Sequence, residues 1–421
     1  MAETLSADVA VVGGGPAGLA AAIAASAAGA STVLVDEGSR IGGQVWRHRD
    51  RASLPRTARE LLERFDASAA RHLSGASVVD ARPGELVLVQ GGDVIRLSAR
   101  RIVIATGARE LLLPFPGWTL PNVFGVGGLQ ALIKAGLDVR GRRIVIAGTG
   151  PLLLPVAATA VRHGAHVVLV AEQASRGALA RFGLALLASP SGGKLVDAVR
   201  YRLAFRQAAF HTGTWIARAE GTDRVRQVTL ASGRRTWHEP CDLVATACGL
   251  IPNGELGALL GCARAGAAIV VNERQETSVP GVFAAGECTG VGGEDLALVE
   301  GAVAGLVAGG RKPGRALMAG RRQLRRLAAA MTRAFAPRRE LLARCEPGTI
   351  ICRCEDVRCD ALRGEWGSRQ ARLVTRAGMG ACQGRVCGAA LHALLGWDLP
   401  VVRPPVSPMS AAAYAELNAE S

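Results

Sequence analysis

The sequence has few aromatic residues, few lysines and no long apolar run. Phe, Trp and Tyr make up 4% of its 421 residues, and the only lysines are Lys134, Lys194 and Lys312. Single-stranded nucleic acids are bound by aromatic side chains interleaved with basic ones, and the sequence shows no such stripe. Nucleic-acid binding is therefore not expected, even though the net charge is +15.

Two further absences bear on the cellular compartment. No apolar run reaches the ~18–20 residues that a membrane span needs, and residues 1–7 lack the basic segment that begins a signal peptide. We therefore expect a cytoplasmic protein without a transmembrane segment, although peripheral membrane association stays open. In that compartment the 10 cysteines are expected to be reduced thiols or cluster ligands rather than disulfides. A hydrophobic content of 49% indicates a globular chain of two or three domains.

A glycine-rich turn stands between a predicted strand and a predicted helix near the N-terminus. Gly13, Gly15 and Gly18 form the pattern G-x-G-x-x-G. The first glycine permits the tight turn, the second lets the backbone approach a pyrophosphate, and the third allows close packing of helix on strand. Pro16 and Ala17 open the helix, whose N-terminal N–H groups favour phosphates. The pattern predicts a dinucleotide site, with a turn that binds no ligand as the alternative.

An acidic residue follows the second predicted strand at the spacing that such a site requires. Asp36 lies 23 residues after Gly13, where a carboxylate accepts hydrogen bonds from a ribose. Glu37 is the alternative residue for this role. Together with the strand, turn and helix, the acid makes the prediction of a nucleotide site specific.

Three later segments resemble the glutathione-reductase-like flavoprotein superfamily. They read Ile-Gly-Gly-Gln at 41–44, Ala-Thr-Gly-Ala at 105–108 and Ala-Ala-Gly-Glu at 284–287. The resemblance implies that the first site binds FAD. It assigns to the cofactor the residues Gly43, Gln44, Ala105, Thr106, Gly107, Gly286 and Glu287. Glu287 stands where that superfamily more often has aspartate.

A second nucleotide-type pattern lies in the middle of the chain. Gly148 and Gly150 follow a predicted strand, but Leu153 replaces the third glycine. The position 23 residues after Gly148 is Ala171, with Glu172 next. The pattern predicts a second dinucleotide-type fold whose weak candidate site comprises Gly148, Gly150 and Glu172. NAD(P)H, another nucleotide and no ligand at all remain open.

The sequence lacks the redox-active cysteine pair of disulfide reductases, because Gly43 precedes Gln44-Val45-Trp46 and residues 114–240 contain no cysteine. No general base stands beside a recognisable substrate pocket, so catalytic residues stay unassigned. The scattered thiols are expected to be small buried apolar side chains; they are Cys241, Cys248, Cys262 and Cys288.

Four cysteines near the C-terminus carry the strongest metal-binding pattern. Cys352 and Cys354 form C-x-C, and Cys382 and Cys387 form C-x4-C in a glycine-bearing loop. Four thiolates are what a [2Fe–2S] or [4Fe–4S] cluster needs, and the loop offers N–H donors to cluster sulfurs. A structural zinc site is the alternative. Between the pairs, residues 360–370 predict one helix, and another begins at Ala389.

The connecting segment before this module is rich in alanine and arginine. Residues 311–344 predict a helical connector with a break at Pro337. Its densest basic patch, residues 311–326 with Arg338 and Arg339, could face a partner or an electron acceptor.

The cysteine module resembles the [2Fe–2S] domain called BFD-like, after bacterioferritin-associated ferredoxin. Its fusion behind a two-dinucleotide flavoprotein, with the segments 116–123, 147–153 and 248–253, resembles the alpha subunits of heteromeric amino-acid and imino-acid dehydrogenases. These include opine oxidases, D-hydroxyproline dehydrogenase, hydrogen cyanide synthase and, more distantly, sarcosine oxidase.

The resemblance implies a division of labour between subunits. An FAD-containing, D-amino-acid-oxidase-like beta subunit would oxidise the amine. The present chain would hold FAD, or another nucleotide in its place, together with a [2Fe–2S] cluster, and would pass electrons onward. A small ferredoxin-like gamma subunit is a further candidate partner. A self-contained NAD(P)H-dependent reductase that feeds its own cluster is the alternative function.

The predicted fold class is α/β: a two-dinucleotide-binding-domain, glutathione-reductase-like flavoprotein with a small C-terminal α-helical BFD-like [2Fe–2S] domain. The predicted divisions are an FAD-binding domain in two parts (1–113 and 256–325), an inserted NAD(P)-binding-like domain (114–255), a connector (326–344), the BFD-like domain (345–400) and a tail (401–421).

Overall fold

The structure is a computed structural model that describes residues 3–48 and 50–419. The chain forms two compact units. The first comprises Met1–Arg109, Ile251–Ala329 and Val401–Ser421, and the second comprises Glu110–Leu250 and Ala330–Pro400. The outer ends of two predicted domains, residues 1–2 and 420–421, lie outside the described residues.

The N-terminal part of the first unit contains the first glycine-rich turn and most of the larger sheet. Its elements are β1 (Glu3–Val12), α1 (Pro16–Ala27), β2 (Thr32–Asp36), α2 (Arg56–Asp66), β3 (Arg71–Ser74), β4 (Ala76–Arg82), β5 (Glu85–Gln90), β6 (Asp93–Ile104) and β7 (Ala108–Glu110).

The middle part of the chain contains the second glycine-rich turn. Its elements are β8 (Val123–Gly125), α3 (Val126–Lys134), β9 (Arg143–Gly148), α4 (Leu153–Arg162), β10 (His166–Glu172), α5 (Arg176–Leu187), α6 (Lys194–Ala204), β11 (Ala209–Thr212), β12 (Trp215–Glu220), β13 (Gln227–Ser232), β14 (Arg235–Pro240), β15 (Leu243–Ala247) and β16 (Leu250–Pro252).

The chain then completes the first unit and enters the cysteine module. These elements are α7 (Glu255–Leu259), β17 (Arg264–Ala265), β18 (Ala268–Ile269), β19 (Val282–Ala284), α8 (Glu294–Ala308), α9 (Arg315–Ala334), α10 (Arg339–Leu342), β20 (Ile350–Cys352), β21 (Val357–Arg358), α11 (Ser368–Thr375), α12 (Cys387–Leu395) and α13 (Ala411–Ala419).

The first unit is built on a sheet in the order β3-β2-β1-β6-β5-β4, with β19 also paired to β6. The strands β3, β2, β1, β6 and β19 run parallel, whereas β6, β5 and β4 form an antiparallel meander. Parallel strands covered on both faces are apolar throughout, and the end of β1 is buried on both faces. This arrangement places the turn after β1 at the carboxyl edge of the sheet, where α/β proteins bind nucleotides.

Small residues let two helices of the first unit approach each other closely. A Cβ added at Gly301 or Gly305 of α8 would overlap the backbone carbonyl oxygen of Ala17 or Ala21 in α1. The alanines of α1 and the glycines of α8 therefore serve helix packing. Within the described residues, no helix combines the length and the apolar character needed to cross a bilayer.

The second unit is also built on a parallel sheet, in the order β11-β10-β9-β15-β8. It contains in addition a separate antiparallel sheet, β12-β13-β14. The cysteine module belongs to this unit. Trp118 donates from its indole nitrogen to the carbonyl oxygen of Ile350 at 2.6 Å. Arg344 donates to the carbonyl oxygens of Leu113 at 2.8 Å and Ile216 at 2.9 Å. The inserted fold thus serves as the base on which the module packs.

One local prediction is corrected by the structure, and one is confirmed. Residues 360–370 do not form one helix: α11 begins only at Ser368, because Gly364 and Gly367 fall in the stretch and glycine disfavours helix. The connector is helical on either side of Pro337, as predicted. Part of its basic patch points inward, since Arg321 is only 6% exposed.

Candidate functional site

The first glycine-rich turn has the geometry of a nucleotide cradle. A Cβ at Gly13 would overlap the carbonyl oxygen of Ala105, and one at Gly18 would overlap the carbonyl oxygen of Gly13. At Gly15, by contrast, the nearest atom to an added Cβ is the Cα of Gly43, 4.0 Å away. Packing therefore requires glycine at positions 13 and 18, whereas Gly15 leaves open space beside the N-terminus of α1.

The cradle is completed by chain segments that the sequence places far apart. Gly42 donates its backbone N–H to the carbonyl oxygen of Gly14 at 2.7 Å. Gly43 has a positive φ of 60°, which brings its backbone against Gly15, whereas the side chain of Gln44 is exposed. Ala105 donates to the carbonyl oxygen of Val12 at 2.8 Å. The predicted residues of these segments are thus brought together around the turn.

The predicted acid lies at the edge of this cradle. The Asp36 carboxylate accepts backbone N–H groups from Gly14 and, at 2.7 Å, from Gly38. Glu37, the alternative, is exposed. The two acids therefore have different roles. The Asp36 carboxylate links the turn at Gly14 to the turn at Gly38, whereas the Glu37 side chain is exposed and available to a ligand.

The Thr106–Gly107 turn is held by a residue that sequence reasoning did not assign. Asn253 donates from its side chain to the carbonyl oxygen of Thr106 at 2.9 Å, and the Thr106 hydroxyl donates to the carbonyl oxygen of Asn253 at 2.7 Å. The backbone N–H of Asn253 also donates to Gly107 at 3.0 Å. The sequence marks the segment 248–253 only through the family resemblance.

The predicted segment at Gly286 lies beside the N-terminal turn of α1. Gly286 has a φ of 75°, and a Cβ there would lie 2.7 Å from that of Ala17. Glu287 instead accepts the N–H of Gly293 at 3.1 Å, and burial raises the pKa of its carboxyl. The glycine therefore belongs to the cradle, while the Glu287 carboxylate is directed at the start of α8.

A buried ionic cluster behind Gly286 escapes sequence reasoning because its members are distant in the chain. Glu300 is fully buried and accepts the N–H of Gly286 at 3.1 Å and the guanidinium of Arg325. Arg321 donates to the side-chain oxygen of Gln275 at 2.6 Å. A buried carboxylate needs such partners, so these arginines of α9 support the cradle from inside.

The second glycine-rich turn differs in its surroundings. The carboxylate of Glu172 accepts N–H groups from Gly150 and Ala174, each at 2.8 Å, and burial raises its pKa to about 7. A Cβ at Gly148 would overlap the carbonyl oxygen of Ala247, whereas Gly150 has no atom within 4 Å of one. The three predicted residues are adjacent, but the acid is only 3% exposed.

The four C-terminal cysteines converge as two pairs. A hydrogen bond with the Cys387 thiol lowers the pKa of Cys352 to about 5. Contact with the Cys352 thiol, burial, and the nearby Cys382 and Cys354 thiols raise the pKa of Cys387. The thiols of Cys354 and Cys382 are also hydrogen-bonded to each other. The backbone N–H of Gly378 donates to the Cys352 sulfur at 3.4 Å.

Across residues 3–48 and 50–419, no three or more His, Cys, Asp or Glu side chains are arranged to hold a metal ion. The cysteines outside the pattern lie apart from these pairs: Cys345 donates to the carbonyl oxygen of Pro114 at 3.3 Å. The four scattered thiols are buried, as expected. Burial raises the pKa of Cys241 and of Cys288 to about 12, so neither is an activated nucleophile.

Comparison with known proteins agrees with this architecture. Residues 7–305 match the family described as pyridine nucleotide-disulphide oxidoreductase. An opine oxidase subunit of Rhizobium meliloti (strain 1021) is 32% identical over 97% of this chain and 98% of its own. The hydrogen cyanide synthase subunit HcnB of Pseudomonas protegens is 31% identical over 99% of this chain and 99% of its own.

A solved structure is similar to this chain over nearly its whole length, including the C-terminal part that contains the cysteine module. L-proline dehydrogenase from P. horikoshii matches with a TM-score of 0.69 over 98% of this chain and 80% of its own, at 20% sequence identity. That likeness shows a common fold. Taken with the sequence relatives, it confirms the predicted α/β architecture of two nucleotide-type folds. The chain belongs to the pyridine nucleotide-disulphide oxidoreductase family, in the group that includes the opine oxidase subunit of R. meliloti and HcnB, and is a flavin-dependent oxidoreductase.

Proposed function

We propose that this chain is the FAD- and [2Fe–2S]-containing electron-transfer subunit of a heteromeric amine or imino-acid dehydrogenase of the opine or D-hydroxyproline type. The substrate would be oxidised at a flavin in a partner beta subunit. The observation that carries the proposal is the presence, in one chain, of an open nucleotide cradle and two converging thiol pairs. The relatives named as oxidase and synthase subunits support it.

The residues of the first cradle fit a bound FAD. FAD would supply the capacity to exchange electrons one or two at a time. Gly15 leaves room for a pyrophosphate, and the N–H groups at the start of α1 favour its negative charge. Glu37 is exposed and can accept ribose hydroxyls, while Asp36 holds the Gly14 turn in place.

The pairing of the four thiols favours a two-iron cluster over zinc. Zinc in a structural site takes four donors around one ion, whereas each iron of a [2Fe–2S] cluster takes two protein thiolates. The cysteines are arranged in twos, Cys352 with Cys387 and Cys354 with Cys382. The N–H of Gly378, directed at the Cys352 sulfur, would also stabilise the charge of a bound thiolate.

A cysteine substitution tests the cluster. Cys352→Ser should remove iron, acid-labile sulfide and the cluster's visible absorption from anaerobically purified protein, while FAD content stays the same, because the cradle lies in the other unit. Cys359→Ser is the matched control and should change neither. Zinc in place of iron, or iron content unaffected by Cys352→Ser, would contradict the proposed ligands.

Two exposed helices support assembly with a partner. Leu184 and Leu187 of α5 are 67% and 63% exposed, and Val199 and Leu203 of α6 are 59% and 61% exposed. None of the described residues of α6 is buried. Monomeric proteins rarely leave several large apolar side chains so exposed on neighbouring helices.

The division of labour is tested by comparing the complex with the isolated chain. We expect dye-linked oxidation of an opine or D-hydroxyproline only when an FAD-containing beta subunit is present. Full activity of the isolated chain would show that the substrate is oxidised here, and the proposed division of labour would then be wrong.

The open space at Gly150 favours a second candidate, a self-contained NAD(P)H-dependent reductase that feeds its own cluster. This function requires a nicotinamide nucleotide to bind the second fold. Rapid reduction of the flavin by NADH or NADPH would support it.

A further inference from the structure

The two nucleotide-type folds can be compared position by position through their sheets. In the first fold, Val12 pairs with Val35, so Gly13 and Asp36 follow at the strand ends. In the second fold, Gly148 pairs with Glu172. Glu172, rather than Ala171, is therefore the counterpart of Asp36.

The same alignment pairs the next residues of each fold. Gly14 of the first fold corresponds to Thr149 of the second, and Glu37 corresponds to Gln173. Glu37 is exposed, whereas Gln173 is fully buried and Thr149 is 5% exposed. A buried amide and hydroxyl need hydrogen-bond partners, and both find them in a segment far along the chain.

That segment is residues 335–338, which we call the strap. The Thr149 hydroxyl donates to the carbonyl oxygen of Phe335 at 3.1 Å. The Gln173 amide donates to the carbonyl oxygen of Ala336 at 3.0 Å and to the Thr149 hydroxyl at 2.9 Å. The backbone N–H of Arg338 donates to the Gln173 side-chain oxygen at 3.2 Å. These two side chains therefore anchor the strap at three of its four residues.

Two side-chain contacts hold the flanks of the strap. The ring of Phe335 meets that of Phe182 edge to face, with centroids 5.1 Å apart. The guanidinium of Arg338 lies over the ring of Trp215, 5.1 Å from its centroid. Each contact is worth about 1 kcal/mol or less at such sites, so the strap is held along its length and not by one anchor.

The anchors lie where a dinucleotide would place its adenosine ribose. In such folds the ribose hydroxyls bind the acid at the end of the second strand. Backbone N–H groups hold both carboxylate oxygens of Glu172, as they hold those of Asp36 in the first fold. The difference is at the next residue: Glu37 is exposed and can face a ribose, whereas Gln173 is covered by the strap. The open space at Gly150 lies where the phosphates of a nucleotide would bind. It does not open the position of the ribose, which the strap covers.

We propose that the strap is a built-in occupant of the ribose end of the second fold, so that this fold does not take NADH, NADPH or another adenine nucleotide. Thr149 and Gln173 are the specificity-determining residues, because they bind the strap in place of a ribose. The strap leads directly into α10 and the cysteine module, which packs on the same unit through Arg344. The second fold therefore serves as the surface on which the cysteine module packs. This role does not depend on which cluster the module holds or which amine is oxidised.

Nucleotide titration of the full-length wild-type protein is the first test. We expect no saturable binding of NADH, NADPH or ADP-ribose up to ~1 mM beyond the site filled by FAD. Saturable binding of any of them below that concentration, with protection of residues 148–153 from hydrogen exchange, would overturn the proposal. This titration needs no variant, so it decides even if the variant below does not fold.

Limited proteolysis tests the anchors. The double variant Thr149→Gly/Gln173→Ala should be cut by trypsin after Arg333, Arg338 or Arg339 roughly tenfold faster than wild type, because the strap then opens more often. Gln130→Ala is the matched control: it removes an amide that bonds Thr159 in the same unit, at 3.3 Å, and should leave the cleavage rate unchanged. Equal rates in the double variant and wild type would show that these side chains do not hold the strap.

Discussion

The two glycine-rich turns begin from nearly the same sequence and end in different environments. The first reads Gly-Gly-Gly-Pro-Ala-Gly from Gly13, and the second reads Gly-Thr-Gly-Pro-Leu-Leu from Gly148. Both close a parallel strand onto a helix and both hold an acid by two backbone N–H groups. The first remains open beside Glu37, while the second is covered by the strap at Gln173. The glycine pattern therefore determines the turn, and the residues between and after the glycines determine access.

The third position of the pattern shows a second difference. Gly18 sits where a Cβ would overlap the carbonyl oxygen of Gly13, and α1 begins two residues earlier, at Pro16. Its counterpart Leu153 is 1% exposed, packs in the core of the second unit and is itself the first residue of α4. In the second turn the backbone N–H of Leu153 donates to the carbonyl oxygen of Gly150 at 3.2 Å, so it is used within the turn and is not offered to a pyrophosphate.

The largest expected effect on stability comes from changing the size of the side chain at this position in each turn. Leu153→Ala should lower the free energy of unfolding of the second unit by about 2–5 kcal/mol, because it leaves a cavity. Gly18→Ala should lower that of the first unit by about 1–3 kcal/mol through overpacking. Urea denaturation followed separately by flavin release and by protease resistance of the second unit measures both. If Gly18→Ala left stability unchanged, the close packing inferred for the first turn would be wrong.

The next effect separates ligand access from folding. Gly15 has a φ of −77° and room for a methyl group, so Gly15→Ala should fold normally. The methyl group would stand where the pyrophosphate approaches, and FAD affinity should fall at least roughly tenfold, or about 1.4 kcal/mol. Bound FAD per chain, measured after gel filtration, checks this.

Gly150→Ala is the matched control in the second turn. Its φ of 100° makes alanine strained by about 1–2 kcal/mol, yet FAD content should be unchanged. Stoichiometric FAD in Gly15→Ala, or FAD loss in Gly150→Ala, would reverse the assignment of the two turns.

The smallest effect concerns the buried acid of the second turn. Since burial raises the pKa of Glu172 from 4.5 to about 7, the folded state binds the proton more tightly than the unfolded state. This contribution to stability is fully present below about pH 4.5 and is lost as pH rises through 7. Glu172→Gln should flatten that loss, because the amide has no proton to gain or lose over this pH range. Denaturation midpoints at pH 5 and pH 8 measure it, and an unaltered pH dependence would contradict the raised pKa.

Sequence reasoning succeeds where structure depends on local pattern. The strand, turn and helix around Gly13 follow from spacing alone. Spacing also brings the four C-terminal cysteines to notice, but it pairs Cys352 with Cys354 and Cys382 with Cys387, whereas the structure pairs Cys352 with Cys387 and Cys354 with Cys382.

The strap does not follow from spacing, because Gln173 and Ala336 are far apart in the chain and neither belongs to a motif. The same reason hides Glu300, whose partner Arg325 falls within the basic patch of the connector.

Anaerobic addition of NADH or NADPH to the FAD-loaded chain, with flavin absorbance recorded, tests the contrast between the two folds most directly. We predict that the flavin stays oxidised with either nucleotide and is bleached by dithionite, because the first fold holds the flavin and the strap closes the second. Rapid bleaching by NADH or NADPH would contradict this contrast and would establish the second fold as a nicotinamide site.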